Sequence, residues 1–297
     1  MIYEYARSIS SRFGWVPELA QQVAPTDVLC ETCCIKDMIE CASELINAGY
    51  DEFYDDLNRF ARNQLVENQC KISSFVVVDN AIEDTEARTY REINKRILGG
   101  FSGWAAPGNI SFSHSVCGCC TGTAVQALQI FWDRAVEYRR GVVTVNMPVD
   151  KTIRQAEVAM GYPNEGYIRV NTKQPCDVAI RLHSWMPNNL EGFANGRRKT
   201  FDLEGNLAVF RNIPKNGTVE LRHALRSRKV KEIVRGRSYI VTWRGPDVVN
   251  ISPHGDGIRL YQRNKAKSRR RFKPTASADD KLRQSVDSLR SSASEQR

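Results

Sequence analysis

Tyr138-Arg139-Arg140-Gly141-Val142-Val143-Thr144-Val145 is the stretch where the chain changes character. Before it, apolar residues recur with the 3.6-residue period of helices; after it they alternate with period two, as strands do. The spacing predicts a helix from about Thr121 to Tyr138, with Val125, Leu128, Phe131, Trp132 and Ala135 as its apolar face. Gly141 is its predicted stop. The chain therefore reads as α+β and multidomain: a helical part over 1–140, a β part over 141–263, and a tail over 264–297.

Upstream of this stretch, helical spacing recurs in several blocks. Ala6 to Phe13 is a short predicted helix. From Glu31, Ile35, Met38, Ile39, Ala42, Leu45 and Ile46 form one stripe, which Asn47-Ala48-Gly49 terminates. Asp51 is the predicted N-cap of the next helix, whose buried face is Phe53, Leu57, Phe60, Ala61 and Leu65. The short turn between the two predicts an antiparallel helical hairpin. A third helix is predicted over Thr85 to Leu98, with Ile93 and Ile97 inward.

Downstream, about eight short strands are predicted, among them Ala156–Ala159, Tyr167–Val170, Val178–Leu182, Leu207–Phe210 and Tyr239–Trp243. Turns such as Asn195-Gly196 and Asn216-Gly217 separate them. This spacing predicts an antiparallel β-sandwich. The tail after Arg263 has too little apolar content to fold alone and is expected to be disordered.

Composition narrows the function classes. The 297 residues are 41% hydrophobic and 26% charged, ordinary for a globular protein. There is no apolar run long enough to span a membrane and no signal-peptide pattern, so a reducing, cytoplasmic location is expected. The net charge of +9 is mostly the tail's: residues 264–297 hold ten Lys/Arg against four Asp/Glu. A nucleic-acid role is therefore not expected of the nearly neutral body; Arg269–Arg271 reads as a solvated face or, less simply, a nucleic-acid contact.

The nine cysteines stand at 30, 33, 34, 41, 70, 117, 119, 120 and 176, and most belong to two clusters. One is Glu31-Thr32-Cys33-Cys34, the other Cys117-Gly118-Cys119-Cys120. In a reducing compartment such clusters point to metal or catalysis rather than disulfides. Cys41, Cys70 and Cys176 read as small buried hydrophobes. Zinc takes thiolate and carboxylate ligands, usually four in a tetrahedron, and Glu31, Cys33, Cys119 and Cys120 would make such a set. Each cluster opens a predicted helix, where free N–H groups favour anionic ligands. A metal-bound thiolate is also a nucleophile, and a nearby carboxylic acid could protonate a departing sugar oxygen.

Glu31-Thr32-Cys33 followed by Cys117-Gly118-Cys119-Cys120 resembles glycoside hydrolase family 127, the β-L-arabinofuranosidase-like proteins. Arg181-Leu182-His183-Ser184-Trp185-Met186-Pro187 and Asn195-Gly196-Arg197 resemble motifs further along the same family. The resemblance spans roughly residues 10–263. It implies zinc held by Glu31, Cys33, Cys119 and Cys120, with Cys119 as nucleophile and Cys117 as a neighbour. The acid/base is then a Glu shortly upstream of Glu-Thr-Cys, for which Glu18 is the candidate; its other reading is a loop residue facing solvent. The sequence departs from the family where Thr121-Gly122-Thr123 follows the paired cysteines. Family members are also much longer and carry an (α/α)₆ barrel. The resemblance thus implies part of that barrel followed by the sandwich, the C-terminal portion of such an enzyme, completed by an upstream polypeptide and acting on carbohydrate. The other function class is a non-catalytic, zinc-stabilised module that binds carbohydrate or protein.

Overall fold

The computed structural model describes residues 2–17, 29–74, 76, 81–87, 90–110 and 116–263. Glu18 and the tail over 264–297 lie outside the described residues. Helices come first: α1 (Ile2–Ile9), α2 (Thr32–Asn47), α3 (Phe53–Phe60) with a π-helical continuation (Ala61–Leu65), α4 (Ile93–Arg96) and α5 (Gly118–Ala135).

In α2 the predicted stripe is the buried one, including Ile35, Met38, Ile39, Ala42 and Ile46. It packs against α3, where Phe53, Leu57 and Phe60 are buried as expected. Asp51 does not cap α3. Its carboxylate instead pairs with Arg181 Nη2 at 3.1 Å, and its backbone oxygen accepts from Tyr54 N–H at 3.2 Å. The third predicted helix shrinks to α4, none of whose residues is buried. Asp84 Oδ1 accepts the N–H groups of Tyr90 (2.6 Å) and Arg91 (2.9 Å), and Glu92 takes a left-handed φ of 49°. Both features break the helical ladder before Ile93.

Two expectations about α5 need correction. It starts at Gly118 and stops at Ala135, and Val136–Arg139 is a strand. The last carbonyls of α5 are taken by other partners. Asn146 N–H bonds Ala135 O at 2.9 Å, Asn146 Nδ2 bonds Arg134 O at 3.1 Å, and the Lys151 ammonium bonds Trp132 O. Arg140 (φ 50°) and Gly141 (φ 83°) then turn the chain so that Val136–Arg139 pairs with Val142–Val145. Gly141 is thus a hairpin glycine, not a helix stop. The buried face of α5 is Cys120, Ala124, Ala127 and Ala135, while Val125 (58% exposed) and Trp132 (43%) face outward. Small residues let α5 approach α2 closely, and this outweighs the larger apolar side chains the periodicity favoured.

The β part holds three sheets. A six-stranded antiparallel sheet centres on Tyr167–Thr172 and Thr218–Arg222. A five-stranded sheet centres on Cys176–Arg181. It is mixed rather than antiparallel, because Val142–Val145 runs parallel to Cys176–Arg181. The edge hairpin at Arg140–Gly141 uses up the antiparallel side of Val142–Val145, leaving its other side for that parallel partner. A third, three-stranded sheet comprises Ser227–Val234, Arg237–Arg244 and Asp247–Ser252. Alternating burial is clear in Tyr167–Thr172 and Arg237–Arg244. Helical and strand residues share one buried hydrophobic cluster, from Trp15 and Ile35 through Val178 and Phe210 to Ile251.

A small fourth sheet matters most for the site. Cys30–Glu31 pairs with Trp104–Ala105, which pairs with Asn109–Ile110, which pairs with Ile258–Arg259. Just beyond, Tyr261 is fully buried and Arg263 pairs with Glu67 (2.9 Å) and Asp247 (2.8 Å). Among the described residues, no helix is long and apolar enough to cross a membrane.

Candidate metal centre

Glu31 ends the first strand of the small sheet, and its register opposite Trp104 fixes where α2 begins. Cys33 therefore falls in the first turn of α2. Cys117 occupies the N-cap position of α5, and Cys119 and Cys120 lie in its first turn. Two helix N-termini converge, and the N–H-rich ends favour anionic groups between them. One ligand atom each of Glu31, Cys33, Cys119 and Cys120 lies within 4.8 Å of all the others. Cys33 Sγ is 3.4 Å from Cys120 Sγ, Cys119 Sγ is 3.9 Å from Cys120 Sγ, and Cys120 Sγ is 3.6 Å from Glu31 Oε1.

These separations can be tested against zinc. Tetrahedral bonds of about 2.3 Å to sulfur and 2.0 Å to oxygen put two sulfurs about 3.8 Å apart, and a sulfur and an oxygen about 3.5 Å apart. The three edges that meet at Cys120 fall near these values, the others lie within 4.8 Å, and the donor set is one that zinc accepts. The four residues fit the ion.

As thiols alone, the cysteines differ. Burial pushes Cys120 well up, with Cys33 adding to the effect, and burial also raises Cys33. Exposed Cys119 is pulled down by hydrogen bonds from the Cys117 and Cys120 thiols. Cys117 Sγ lies 3.4 Å from Cys119 Sγ, so it is a neighbour positioned to donate to a Cys119 thiolate. A bound cation would invert this order for the buried thiols, since coordination deprotonates them outright.

Several supporting groups were not apparent from the sequence. Thr123 Oγ1 donates to Cys33 Sγ at 3.3 Å, tying the α5 cluster to the α2 cluster. Thr32, between the two α2 ligands, donates to Ser102 O at 2.6 Å. Asn68 Nδ2 donates back to Thr32 Oγ1 (3.0 Å), Gln64 Nε2 to Asn68 Oδ1 (2.8 Å), and Tyr261 OH to Gln64 Oε1 (2.7 Å). Thr32, Asn68, Gln64 and Tyr261 are all fully buried. The only sequence signal for this chain is Thr32 itself, held between Glu31 and Cys33. Trp15 is core, with Nε1 donating to Ala105 O at 3.1 Å. His183 is buried and bonds Asp55.

No protein-family model and no curated protein sequence matches the chain. Solved structures do. The chain is similar to a GH127 β-L-arabinofuranosidase from Geobacillus stearothermophilus T6, with a TM-score of 0.48 and 17% identity over 80% of this chain and 40% of that one. It is similar to a GH127 β-arabinofuranosidase with a TM-score of 0.50 and 17% identity over 79% of this chain and 38% of that one. The fold is GH127-like. A further likeness, to a glycoside hydrolase, has a TM-score of 0.47 and 15% identity over 74% of this chain and 37% of that one. The chain spans about two fifths of the length of the solved structures it matches.

Proposed function

We propose that the chain is the C-terminal portion of a GH127-like glycoside hydrolase, cleaving β-L-arabinofuranosides or a related sugar with retention of configuration. In this reading 1–140 is part of an (α/α)₆ barrel, 141–263 is a sandwich domain, and 264–297 is a disordered basic tail. The observation that carries the reading is the convergence of Glu31, Cys33, Cys119 and Cys120, with Cys119 the exposed member. These four residues would hold zinc, which when bound supplies charge that keeps the thiols deprotonated.

The chain's own residues then divide the work. Cys119 sulfur attacks the anomeric carbon as the glycosidic C–O bond breaks, and the leaving oxygen takes a proton from a carboxylic acid, proposed to be Glu18. Water then attacks the same carbon as the C–S bond breaks, giving its proton to that carboxylate. Cys117 and Cys120 hold the Cys119 sulfur in place. Nine free cysteines support a reducing, cytoplasmic setting. Outward-facing Val125 and Trp132 on α5 support an upstream polypeptide that completes the barrel.

The test is reaction with an arabinofuranose-derived electrophile, read by mass spectrometry, alongside hydrolysis of an aryl β-L-arabinofuranoside. A sugar adduct on Cys119, absent in Cys119→Ser, is expected. Labelling that ignores that substitution overturns the nucleophile assignment and favours a zinc-stabilised binding module.

A further inference from the structure

A cleft of about 220 Å³ lies away from the cysteine cluster, between α1, α3, the Ser184-Trp185 loop and the Ser227–Val234/Arg237–Arg244 hairpin. Four arginines line it: Arg7, Arg12, Arg59 and Arg228. Two carboxylates line it too, but each is committed. Asp56 accepts from Arg7 Nε at 2.6 Å and Tyr3 OH at 3.1 Å. Asp55 bonds His183 Nδ1 at 2.5 Å and Ser184 N–H at 3.1 Å. Behind them Glu232 accepts from the backbone N–H of Arg12 at 3.1 Å and not from its guanidinium. Among the described residues, no carboxylate lies within ion-pair distance of the Arg12 or Arg228 guanidinium. Both side chains are exposed, and Arg228 stacks over the Trp243 ring at 5.1 Å.

Unpaired buried polar groups of both kinds surround the cleft: Glu232 Oε1 behind it is an acceptor with no donor, and two lining groups are donors. Arg59 Nε and Trp185 Nε1 are buried N–H donors with no acceptor. Arg59 Nη2 sits 3.1 Å from Asp56 Oδ1 but is not directed at it and makes no hydrogen bond. The lining amides are already used by the scaffold: Asn63 Nδ2 donates to Pro246 O (3.2 Å) and its Oδ1 accepts Val248 N–H (2.9 Å). Asn58 Oδ1 accepts Arg62 Nε at 3.3 Å. Buried donors without acceptors are destabilising. A ligand that relieves them must bring acceptors, and guanidinium forks select planar or tetrahedral oxyanions.

The geometry points to an oxyanion-binding site in this cleft, taking the carboxylate or phosphate group of a small, sugar-sized ligand between Arg12, Arg228 and Arg59. Trp185 and Arg59 line the same cleft, so their unpaired donors border that ligand. A second hollow of about 250 Å³ shares Trp185, Arg228 and Gly245 with the first, and gives the uncharged body of the ligand a place to lie. That the body is a sugar rests on the glycoside hydrolase reading; the oxyanion contact does not.

Calorimetric titration of the full chain with four probes tests this: inorganic phosphate, glucuronate, glucose 6-phosphate and glucose. Binding of at least one sugar anion, no binding of glucose, and weakening with added salt are expected. Arg228→Gln and Arg12→Gln, both at exposed positions, should each weaken binding by about tenfold, the loss of one charge-assisted bond. Their zinc content and melting temperature should be unchanged. Phosphate binding without either sugar anion keeps the oxyanion site and removes the sugar. Failure of every anion to bind at millimolar concentration overturns the proposal. So does binding that both variants retain, or binding of a single-stranded oligothymidylate alone. Loss of hydrolysis on Cys119→Ser bears only on the earlier reading.

Discussion

Cys33 Sγ and Cys120 Sγ lie 3.4 Å apart although 87 positions separate them in the chain. A zinc ion held there would join α2 to α5. Refolded with zinc, the chain should carry about one ion per molecule. Cys120→Ala and Cys33→Ala should lower this to background in elemental analysis, whereas Cys41→Ala and Cys176→Ala should leave it unchanged. Chelation should lower the melting temperature of the wild type and not that of Cys120→Ala.

The chain from Thr32 through Asn68 and Gln64 to Tyr261 predicts a cost far from any sulfur. Asn68→Ala strips a fully buried network of its centre and leaves Thr32 and Gln64 short of partners. A loss of about 1–3 kcal/mol is expected in urea unfolding. Tyr261→Phe, which removes only the terminal donor to Gln64, should cost about 1 kcal/mol.

Glu67 provides a pH signature. Burial alone would raise its carboxyl, but Arg263, Lys71 and the Tyr261 N–H outweigh that and hold it below the usual carboxylate range. Its contribution is present above the unfolded value, about 4.3, and is lost as pH falls through the lower folded value. Glu67→Gln should cost on the order of 1–3 kcal/mol at neutral pH, because Arg263 loses one of its two carboxylate partners and keeps Asp247. The gap between mutant and wild type should narrow below the unfolded value and close once the pH has fallen past the lower folded one, in acid-unfolding curves.

Gly14 marks a close approach of backbone to backbone. It has a φ of +85°, and a Cβ there would stand 2.9 Å from Arg59 O and Phe60 Cα. Gly14→Ala is expected to destabilise by more than about 1 kcal/mol, since neither neighbour can rotate away. Gly49→Ala, also left-handed at +96° but with open space around it, should cost less in thermal melting.

Much of this architecture was legible in local patterns. The stripes of α2 and α3 and the strands around Tyr167, Val178 and Leu207 follow from period alone. The two cysteine clusters announced themselves by density of thiols. What was hidden depended on tertiary partners. Capture of the α5 carbonyls by Asn146 and Lys151 ends that helix early, and no local signal encodes it. Asp84 turning back on Tyr90 and Arg91 erased a helix that periodicity favoured. The parallel pairing of Val142–Val145 with Cys176–Arg181 was invisible because both strands look alike in either direction. Trp185 was visible as a motif residue, but its orphaned N–H was not.

The pairing of Ile258–Arg259 with Asn109–Ile110 has a consequence for synthesis on the ribosome. The sheet that begins at Cys30 cannot gain its last strand until Arg259 has left the exit tunnel, and until Arg263 emerges Glu67 and Asp247 have, among the described residues, only Lys71 and Arg62 as ion-pair partners. The small sheet is started before the β part and finished after it, and the buried Thr32–Asn68–Gln64 chain waits for Tyr261 through the translation of every strand between.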